Sequence, residues 1–231
     1  MKKTLLMISV LLAAIGSRAT LSSTTPVYSG GLWHMSETQT YGSGSAGLLI
    51  PDGSPVGVTS VLPFTANTTG YQMIDVTVGL NISGGYNGNL YAYLVSPNGT
   101  LVVLMDRPGP GPFGGMGSGL NNVTLDASAG TSIQNAAETP GVALTGVLNT
   151  YAGNGNSLNS IAAPGGNNGT GNGNWTLFFA DLTRGGGQAY LDSWTLNLTV
   201  VPEPVTLSLG LFVAMLTALV GIKRTWMPQA K

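Results

Sequence analysis

The sequence predicts an all-β domain that lies between two apolar terminal segments. Apolar and polar residues alternate with a period of two in several segments between residues 48 and 200. Residues that favour turns separate these segments, and the chain contains 35 Gly residues. No stretch of the body shows a convincing 3.6-residue period, so the pattern favours sheets over helices.

The first 19 residues are typical of a secretory signal peptide. Lys2 and Lys3 precede an apolar stretch, and small residues stand at the −3 and −1 positions of a cut after Ala19. The apolar stretch is too short to favour a membrane span, although a buried N-terminal helix is an alternative. We expect export and cleavage after Ala19, followed by a lead segment, residues 20–47, that is mainly loop with one edge strand.

Five strands are predicted in the body, at residues 75–82, 90–96, 101–105, 174–180 and 193–200. Pro97-Asn98-Gly99 predicts a tight turn, because Pro suits the first corner and Asn-Gly tolerates a positive φ. Glycine-rich stretches predict exposed loops at 107–119, 152–157 and 164–173. In the first and last strands one face is apolar; these faces comprise Val76, Val78, Leu80, Ile82, Trp194, Leu196, Leu198 and Val200.

The C-terminal residues predict a transmembrane helix at 205–222. This apolar run of 18 residues would rise about 27 Å as a helix, which is just enough for the hydrocarbon core. Lys223 and Arg224 follow it and favour a cytoplasmic C-terminus. The preceding Val201-Pro202-Glu203-Pro204 contains two prolines, which cannot continue a strand or start a helix smoothly, so an extended and accessible link is expected.

The arrangement of Pro202-Glu203-Pro204, apolar helix and basic tip resembles the PEP-CTERM sorting signal of Gram-negative bacteria. The resemblance implies that residues 201–231 are recognised by an exosortase-type membrane protease and cleaved near the motif. An inner-membrane precursor would then be released to the cell surface or to the exopolysaccharide matrix of a biofilm. The alternative is a plain membrane anchor whose proline linker is incidental.

Charge and cysteine content narrow the function classes further. Between residues 20 and 200 the only bases are Arg107 and Arg184, against eight acids, which leaves a net charge of −6. Such a surface repels phosphate backbones, so nucleic-acid binding is not expected. The chain has no Cys, so an exported domain must depend on its hydrophobic core rather than on disulfides.

Six ordered segments of the body resemble the P domain, also called P/Homo B, of proprotein convertases. The resemblance spans about residues 48–200 and implies a jelly-roll β-sandwich that holds no catalytic residues and packs beside a subtilisin-like protease. Asn89 and Ala189 depart from the family, which often has Asp and Gly there. The matching segments are Ile50-Pro51-Asp52 with Gly57-Val58, the strand 75–81, Leu94 to Thr100, Val103-Leu104, Gly173 to Leu177, and Leu191 to Leu196.

No catalytic or cofactor-binding residue is predicted. A serine protease triad needs Ser, His and Asp, and the single His of the chain, His34, lies in the lead segment. One His and no Cys also make a zinc site improbable on ligand chemistry. Eight acids in the body leave glycan hydrolysis formally open, but none forms a recognisable pair. The chain is therefore expected not to be an enzyme.

Two kinds of binding residue are candidates. Asp181 and Asp192 border turns and are our candidate calcium ligands, because oxygen donors from Asp and loop carbonyls suit that ion. Tyr86, Tyr91 and Tyr93 are candidates for a platform on which sugars stack, the alternative being that they pack across strands.

These observations predict a non-catalytic surface or extracellular-matrix protein that presents a P-domain-like sandwich and is sorted by an exosortase. Two alternatives stay open. In one, the chain is an accessory that stabilises a separate subtilisin-like serine endopeptidase and so serves proteolysis. In the other, it is a carbohydrate-binding module. The expected partners are accordingly the exosortase, the membrane, and either extracellular polysaccharide or a subtilisin-like protease.

Overall fold

The computed structural model describes residues 25–41, 47–65, 71–109, 114–162, 171–202 and 211–217. Nearly all of its regular structure is β-strand, and the strands form two sheets. The prediction of an all-β body is confirmed. Each sheet buries one face against the other, which is the arrangement that alternating strands favour.

The larger sheet has seven strands. In order across the sheet, its main path is β1 (Val27–Ser29), β2 (Leu32–Thr40), β11 (Ala189–Pro202), β5 (Tyr71–Gly84), β8 (Leu120–Asp126) and β9 (Leu144–Leu148), while β3 (Leu48–Ile50) pairs with the start of β11. All neighbours are antiparallel except β8 and β9.

The smaller sheet has four antiparallel strands, in the order β4 (Ser54–Phe64), β10 (Gly173–Asp181), β6 (Leu90–Val95) and β7 (Leu101–Asp106). The predicted turn between β6 and β7 is confirmed. The N–H of Ser96 donates to the Thr100 carbonyl over 3.0 Å, and Gly99 has a φ of 86°.

The core lies between the inner faces of the two sheets. The apolar faces predicted for β5 and β11 are buried throughout. Trp175, Leu177 and Phe179 of β10 meet them from the smaller sheet, each no more than 1 % exposed. Trp194 of β11 donates its indole N–H to Ser60 Oγ of β4 over 2.7 Å, so a hydrogen bond joins the sheets inside the core. Burial of each such large side chain stabilises the fold by about 1.5–3 kcal/mol, in the absence of any disulfide.

The prediction that the lead segment is mainly loop is wrong. It forms two strands, and β2 pairs with β11 from Trp33 to Thr40. Only Met35 and Gln39 of β2 are buried, so the sequence of this strand lacks the apolar alternation that would identify it. Its extended state is set by pairing with β11. A short helix that was not predicted, α1 (Leu158–Ala162), lies between the predicted loops at 152–157 and 164–173.

The last strand also runs further than predicted. Val201 and Pro202 belong to β11 and pair with Gln72 and Tyr71 of β5, whereas the prolines were expected to end the strand before them. Pairing with β2 ends at Val200, so Pro202 has a partner strand on one side only. Proline lacks a backbone donor and is tolerated at such positions.

Most of the terminal predictions lie outside the described residues. This applies to the signal peptide with Ala19, to Glu203 and Pro204, and to Lys223 and Arg224. Of the predicted transmembrane helix at 205–222, only residues 211–217 are described; they are helical and exposed. Within the described part of the chain, no helix is long and apolar enough to cross a membrane.

Candidate functional site

An aromatic patch, formed by Tyr91, Tyr93 and Phe178, lies on the outer face of the four-stranded sheet. The two tyrosines alternate along β6 with residues of the buried face. Phe178 alternates along β10 with the buried Leu177 and Phe179. Because successive side chains of a strand point to opposite faces, all three rings project away from the core and are partly exposed.

The three rings contact one another in a fixed arrangement. Phe178 and Tyr93 are cross-strand partners, and their rings stack with centroids 4.6 Å apart and planes 13° apart. Tyr91 meets both rings edge-on, at 6.1 Å from Tyr93 and 6.4 Å from Phe178. Each aromatic contact stabilises the arrangement by about 0.5–1.5 kcal/mol, so the patch is preformed rather than assembled by a ligand.

Gly57 of β4 positions the edge of the aromatic patch. Its φ is 58°, and a Cβ at this position would lie 2.5 Å from the Phe178 ring and 2.2 Å from the Phe179 carbonyl. Only glycine accommodates both the backbone conformation and the ring. On the same strand, the exposed Thr59 faces Phe178 across the sheet, so the surface continues beside the rings.

The polar groups of the patch suit sugar hydroxyls. Burial, followed by the nearby charge of Asp106 and by Tyr93, raises the pKa of the Tyr91 hydroxyl. The hydroxyl therefore stays protonated at neutral pH and can donate. Asp106 is the cross-strand partner of Tyr91 on β7 and supplies acceptors. The Tyr91 hydroxyl and the Asp106 carboxylate thus provide a hydrogen-bond donor and an acceptor at the edge of an apolar surface.

The structure brings together two of the three predicted platform residues. Tyr86 lies elsewhere, in the link between β5 and β6 at one end of the sandwich, where 40 % of its surface is exposed. Sequence reasoning missed Phe178. The signal that identifies it is its place in the alternation of β10, opposite to the face that carries Trp175.

Asp181, a predicted calcium ligand, lies at the end of β10 and is 1 % exposed. Its Oδ1 accepts the N–H of Thr183 over 3.0 Å, whereas its Oδ2 is buried and has no hydrogen-bond partner. Burial raises the pKa of this carboxyl, the backbone groups of Thr183 and Gly53 act in the opposite direction, and Asp52 adds to the rise.

Asp192, the other predicted ligand, lies in the larger sheet. It stands at an irregularity of β11 between Leu191 and Ser193, and its Oδ1 accepts the hydroxyl of Ser83 over 3.0 Å. The two aspartates thus occupy different sheets and have different partners. No group of three or more His, Cys, Asp or Glu in the described ranges could hold a metal. Calcium binding at either aspartate stays a prediction.

His34 lies exposed on β2, and both of its ring nitrogens have partners in neighbouring strands. Nε2 lies 3.1 Å from the Ser29 carbonyl, which can only accept, so this nitrogen is the donor. Nδ1 lies 3.3 Å from the hydroxyl of Thr199. Through these contacts, the His34 side chain links β2 to its neighbours β1 and β11.

No family model matches the chain, and no curated protein matches it. Solved structures of low similarity exist. A serine protease of Aeromonas sobria is 16% identical with a TM-score of 0.42, over 78% of this chain and 27% of that chain. A chain from the complex of that protease with its chaperone is 18% identical with a TM-score of 0.41, over 71% and 26%. This chain thus spans about a quarter of the length of either match.

Proposed function

We propose that this chain is a non-catalytic, exported surface protein whose β-sandwich binds polysaccharide through the aromatic patch. The observation that carries the proposal is the preformed group of three outward-facing rings on the smaller sheet. An aromatic ring offers apolar area to the C–H face of a sugar, and the hydroxyl of a tyrosine adds a polar tip. Several adjacent rings on an exposed sheet face suit an extended polymer better than a small molecule.

Export and sorting belong to the same proposal. They are supported by the signal-peptide pattern that ends at Ala19 and by the resemblance of residues 201–231 to a PEP-CTERM signal. The P-domain resemblance, with the jelly-roll connectivity it implies, supports a module that presents a surface rather than a catalytic centre. In this proposal an exosortase releases the domain, and the aromatic patch retains it in the extracellular matrix.

The binding of polysaccharide can be tested by affinity electrophoresis of the purified full chain. The gels contain xylan, a β-glucan or the exopolysaccharide of the host. At least one of these polymers is expected to retard the wild-type chain. Tyr93→Ala should weaken that retardation about tenfold, because it removes the central ring of the stack. Tyr151→Ala is the matched control, since Tyr151 is an exposed tyrosine outside the patch. Equal retardation of wild type and Tyr93→Ala would contradict the proposal.

Intact-mass analysis of protein from the cell surface and the medium tests the sorting. We expect an N-terminus directly after Ala19 and a C-terminus near Val201 or Glu203. An uncut chain in the inner membrane would favour the plain anchor instead. Recovery in a stable complex with a subtilisin-like protease, without any retention by polysaccharide, would favour the accessory role in proteolysis.

A further inference from the structure

A second surface feature lies at one end of the sandwich, beyond the start of β6 and the end of β7. Three connections enclose a cavity of about 270 Å³ there: the β5–β6 link, the residues that flank β7 and β8, and the β10–β11 loop. Arg107 and Arg184, the only two bases between residues 20 and 200, both line it. We call this cavity the arginine pocket; Tyr86, Asn89, Met116 and Gly186 also line it.

The two guanidinium groups are available to a ligand. Both arginines are exposed, and among the described residues neither side chain forms an ion pair or a hydrogen bond. Two carboxylates lie near the pocket, and the hydrogen bonds they accept come from neutral groups. Asp52 accepts the N–H of Gly185 at 3.0 and 3.3 Å, and Glu138 accepts the side-chain amide of Asn87 and the N–H of Gly117. Two positive charges therefore line one cavity, and neither forms an ion pair within the described part of the chain.

Hydrogen bonds hold the walls of the pocket in place. The buried Asn89 donates its amide to the carbonyls of Thr183, at 3.1 Å, and Gly185, at 2.8 Å, which fixes the β10–β11 loop. Gly88 donates to the Gly115 carbonyl over 2.9 Å, and Arg107 donates its backbone N–H to the Leu90 carbonyl over 2.8 Å. A site whose backbone is already ordered loses less entropy when a ligand binds.

The backbone of Arg107 adopts a left-handed conformation. Its φ is 53°, which costs an ordinary side chain energy. At most other positions of positive φ in the described ranges the residue is Gly, and the exceptions besides Arg107 are Asn122 and Ala152. The guanidinium group of Arg107 is thus carried by a position where Gly would be relaxed.

The chemistry of the pocket indicates its ligand. A guanidinium group matches a planar carboxylate through two parallel hydrogen bonds. A cavity of about 270 Å³ has room for about nine water molecules, which is the size of a single sugar residue rather than of an oligomer. Tyr86 forms one wall, and its ring packs against Gly186, where a Cβ would lie 2.5 Å from the ring. An aromatic wall suits the apolar face of a sugar.

We propose that the arginine pocket binds a carboxylate-bearing sugar residue, a uronic acid, with Arg107 and Arg184 holding the carboxylate and Tyr86 facing the ring. That the acid belongs to a polymer rests on the proposed function. Recognition of the carboxylate depends on the pocket alone. The aromatic patch and the arginine pocket would then contact different residues of an acidic matrix polysaccharide.

Calorimetric titration of the full chain with D-glucuronate, D-glucose and inorganic phosphate tests the inference. Glucuronate should bind, with an affinity that falls as ionic strength rises, while glucose should give no measurable binding and phosphate should bind more weakly. Arg107→Gln and Arg184→Gln should each weaken glucuronate binding about tenfold. Arg184→Lys should fall between wild type and Arg184→Gln, since it keeps the charge but loses the planar fork.

Tyr93→Ala and the arginine variants separate the two proposals. Tyr93→Ala should leave glucuronate binding unchanged, and Arg184→Gln should leave retardation by a neutral polymer unchanged. Absence of glucuronate binding to the wild-type chain, undiminished binding to the Arg107→Gln/Arg184→Gln variant, or equally tight binding of phosphate would each overturn the assignment. Unchanged melting temperatures would show that the exposed substitutions leave the fold intact.

Discussion

The environment of Asp181 disfavours the ionised form of its carboxyl group. One carboxylate oxygen is tied to the backbone of Thr183, and the other is buried without a partner. An unpaired buried oxygen is costly when the carboxylate is ionised, because burial disfavours the charged form. The protonated acid avoids that cost. The pKa of Asp181 is raised for this reason, with a smaller contribution from Asp52.

The raised pKa predicts a specific pH dependence of stability. The folded state holds the Asp181 proton more tightly than the unfolded state does. The resulting stabilisation is fully present below the unfolded pKa and is lost as pH rises through the folded pKa. Wild type should therefore lose stability relative to Asp181→Asn as pH rises above about 4, the ordinary pKa of an Asp side chain. Urea unfolding of both proteins measures the difference.

Two comparisons sharpen this pH experiment. Asp75, whose pKa burial also raises, is present in both proteins and cancels from their difference. Asp192→Asn is the matched control, since Asp192 is a partly exposed carboxylate on the other sheet. If the free energies of unfolding of wild type and Asp181→Asn run parallel across the pH range, the ionised carboxylate is not penalised in the fold. A calcium ion bound at Asp181 would also stabilise the ionised carboxylate. The measurement is therefore made in the presence of EDTA, which removes calcium.

Among the elements, β11 organises the larger sheet. It pairs with β2 on one side and with β5 along its length, while β3 pairs with its first residues. Its inner face, from Trp194 to Val200, is part of the core. Strand β2 covers one edge of β11, and an uncovered edge is a template for aggregation. The lead segment is therefore a structural part of the domain, although its own side chains are mostly exposed.

Deletion of residues 25–41 tests the role of β2. The deletion removes β2, so residues 193–200 of β11 lose their partner strand on one side. It also removes the buried side chain of Met35. We expect a large fall in melting temperature and the appearance of soluble aggregates. Size-exclusion chromatography and thermal melting measure both. A control that changes only the outer face of β2, Ser36→Ala, should stay monomeric. A monomeric deletion variant with unchanged stability would mean that β2 is dispensable.

The whole molecule has one hydrophobic core shared by the two sheets. Residues of both sheets belong to the same buried cluster, and the hydrogen bond from Trp194 to Ser60 crosses between them. Burying the inner face of one sheet requires the other, so neither sheet is expected to persist alone. The chain lacks disulfides that would hold a partly unfolded sheet together.

A shared core predicts a single cooperative unfolding transition. Trp175 reports on the smaller sheet and Trp194 on the larger one, and both are fully buried. The chain has four tryptophans, so Trp33 and Trp226 are first replaced by Phe. In this background, Trp175→Phe leaves Trp194 as the one tryptophan, and Trp194→Phe leaves Trp175. The fluorescence of that tryptophan should change at the same urea concentration as the circular dichroism of the same variant. Each variant thus contains its own internal control. Separate midpoints for the two probes would show that the sheets unfold independently.

The sequence alone determined the core faces of β5, β6 and β11, whereas β4, β8 and β9 were not predicted as strands. The alternation along β5, β6 and β11 assigns each side chain to a face, because the period of a strand is a local property. The same holds for the turn at Pro97-Asn98-Gly99, whose geometry depends on three adjacent residues. One edge strand was predicted in the lead segment, but the sequence did not locate β2, because its pairing with β11, rather than its own composition, keeps it extended.

Only the tertiary structure decided the two candidate sites. Phe178 and Tyr93 stack because β6 and β10 are neighbours in one particular register, and Arg107 and Arg184 line the same cavity because the loops that carry them lie side by side. Tyr86, grouped by sequence with Tyr91 and Tyr93, faces the arginine pocket instead. Local sequence assigns a residue to a face of its own strand. Which strands become neighbours depends on long-range packing, and that packing determined which residues meet.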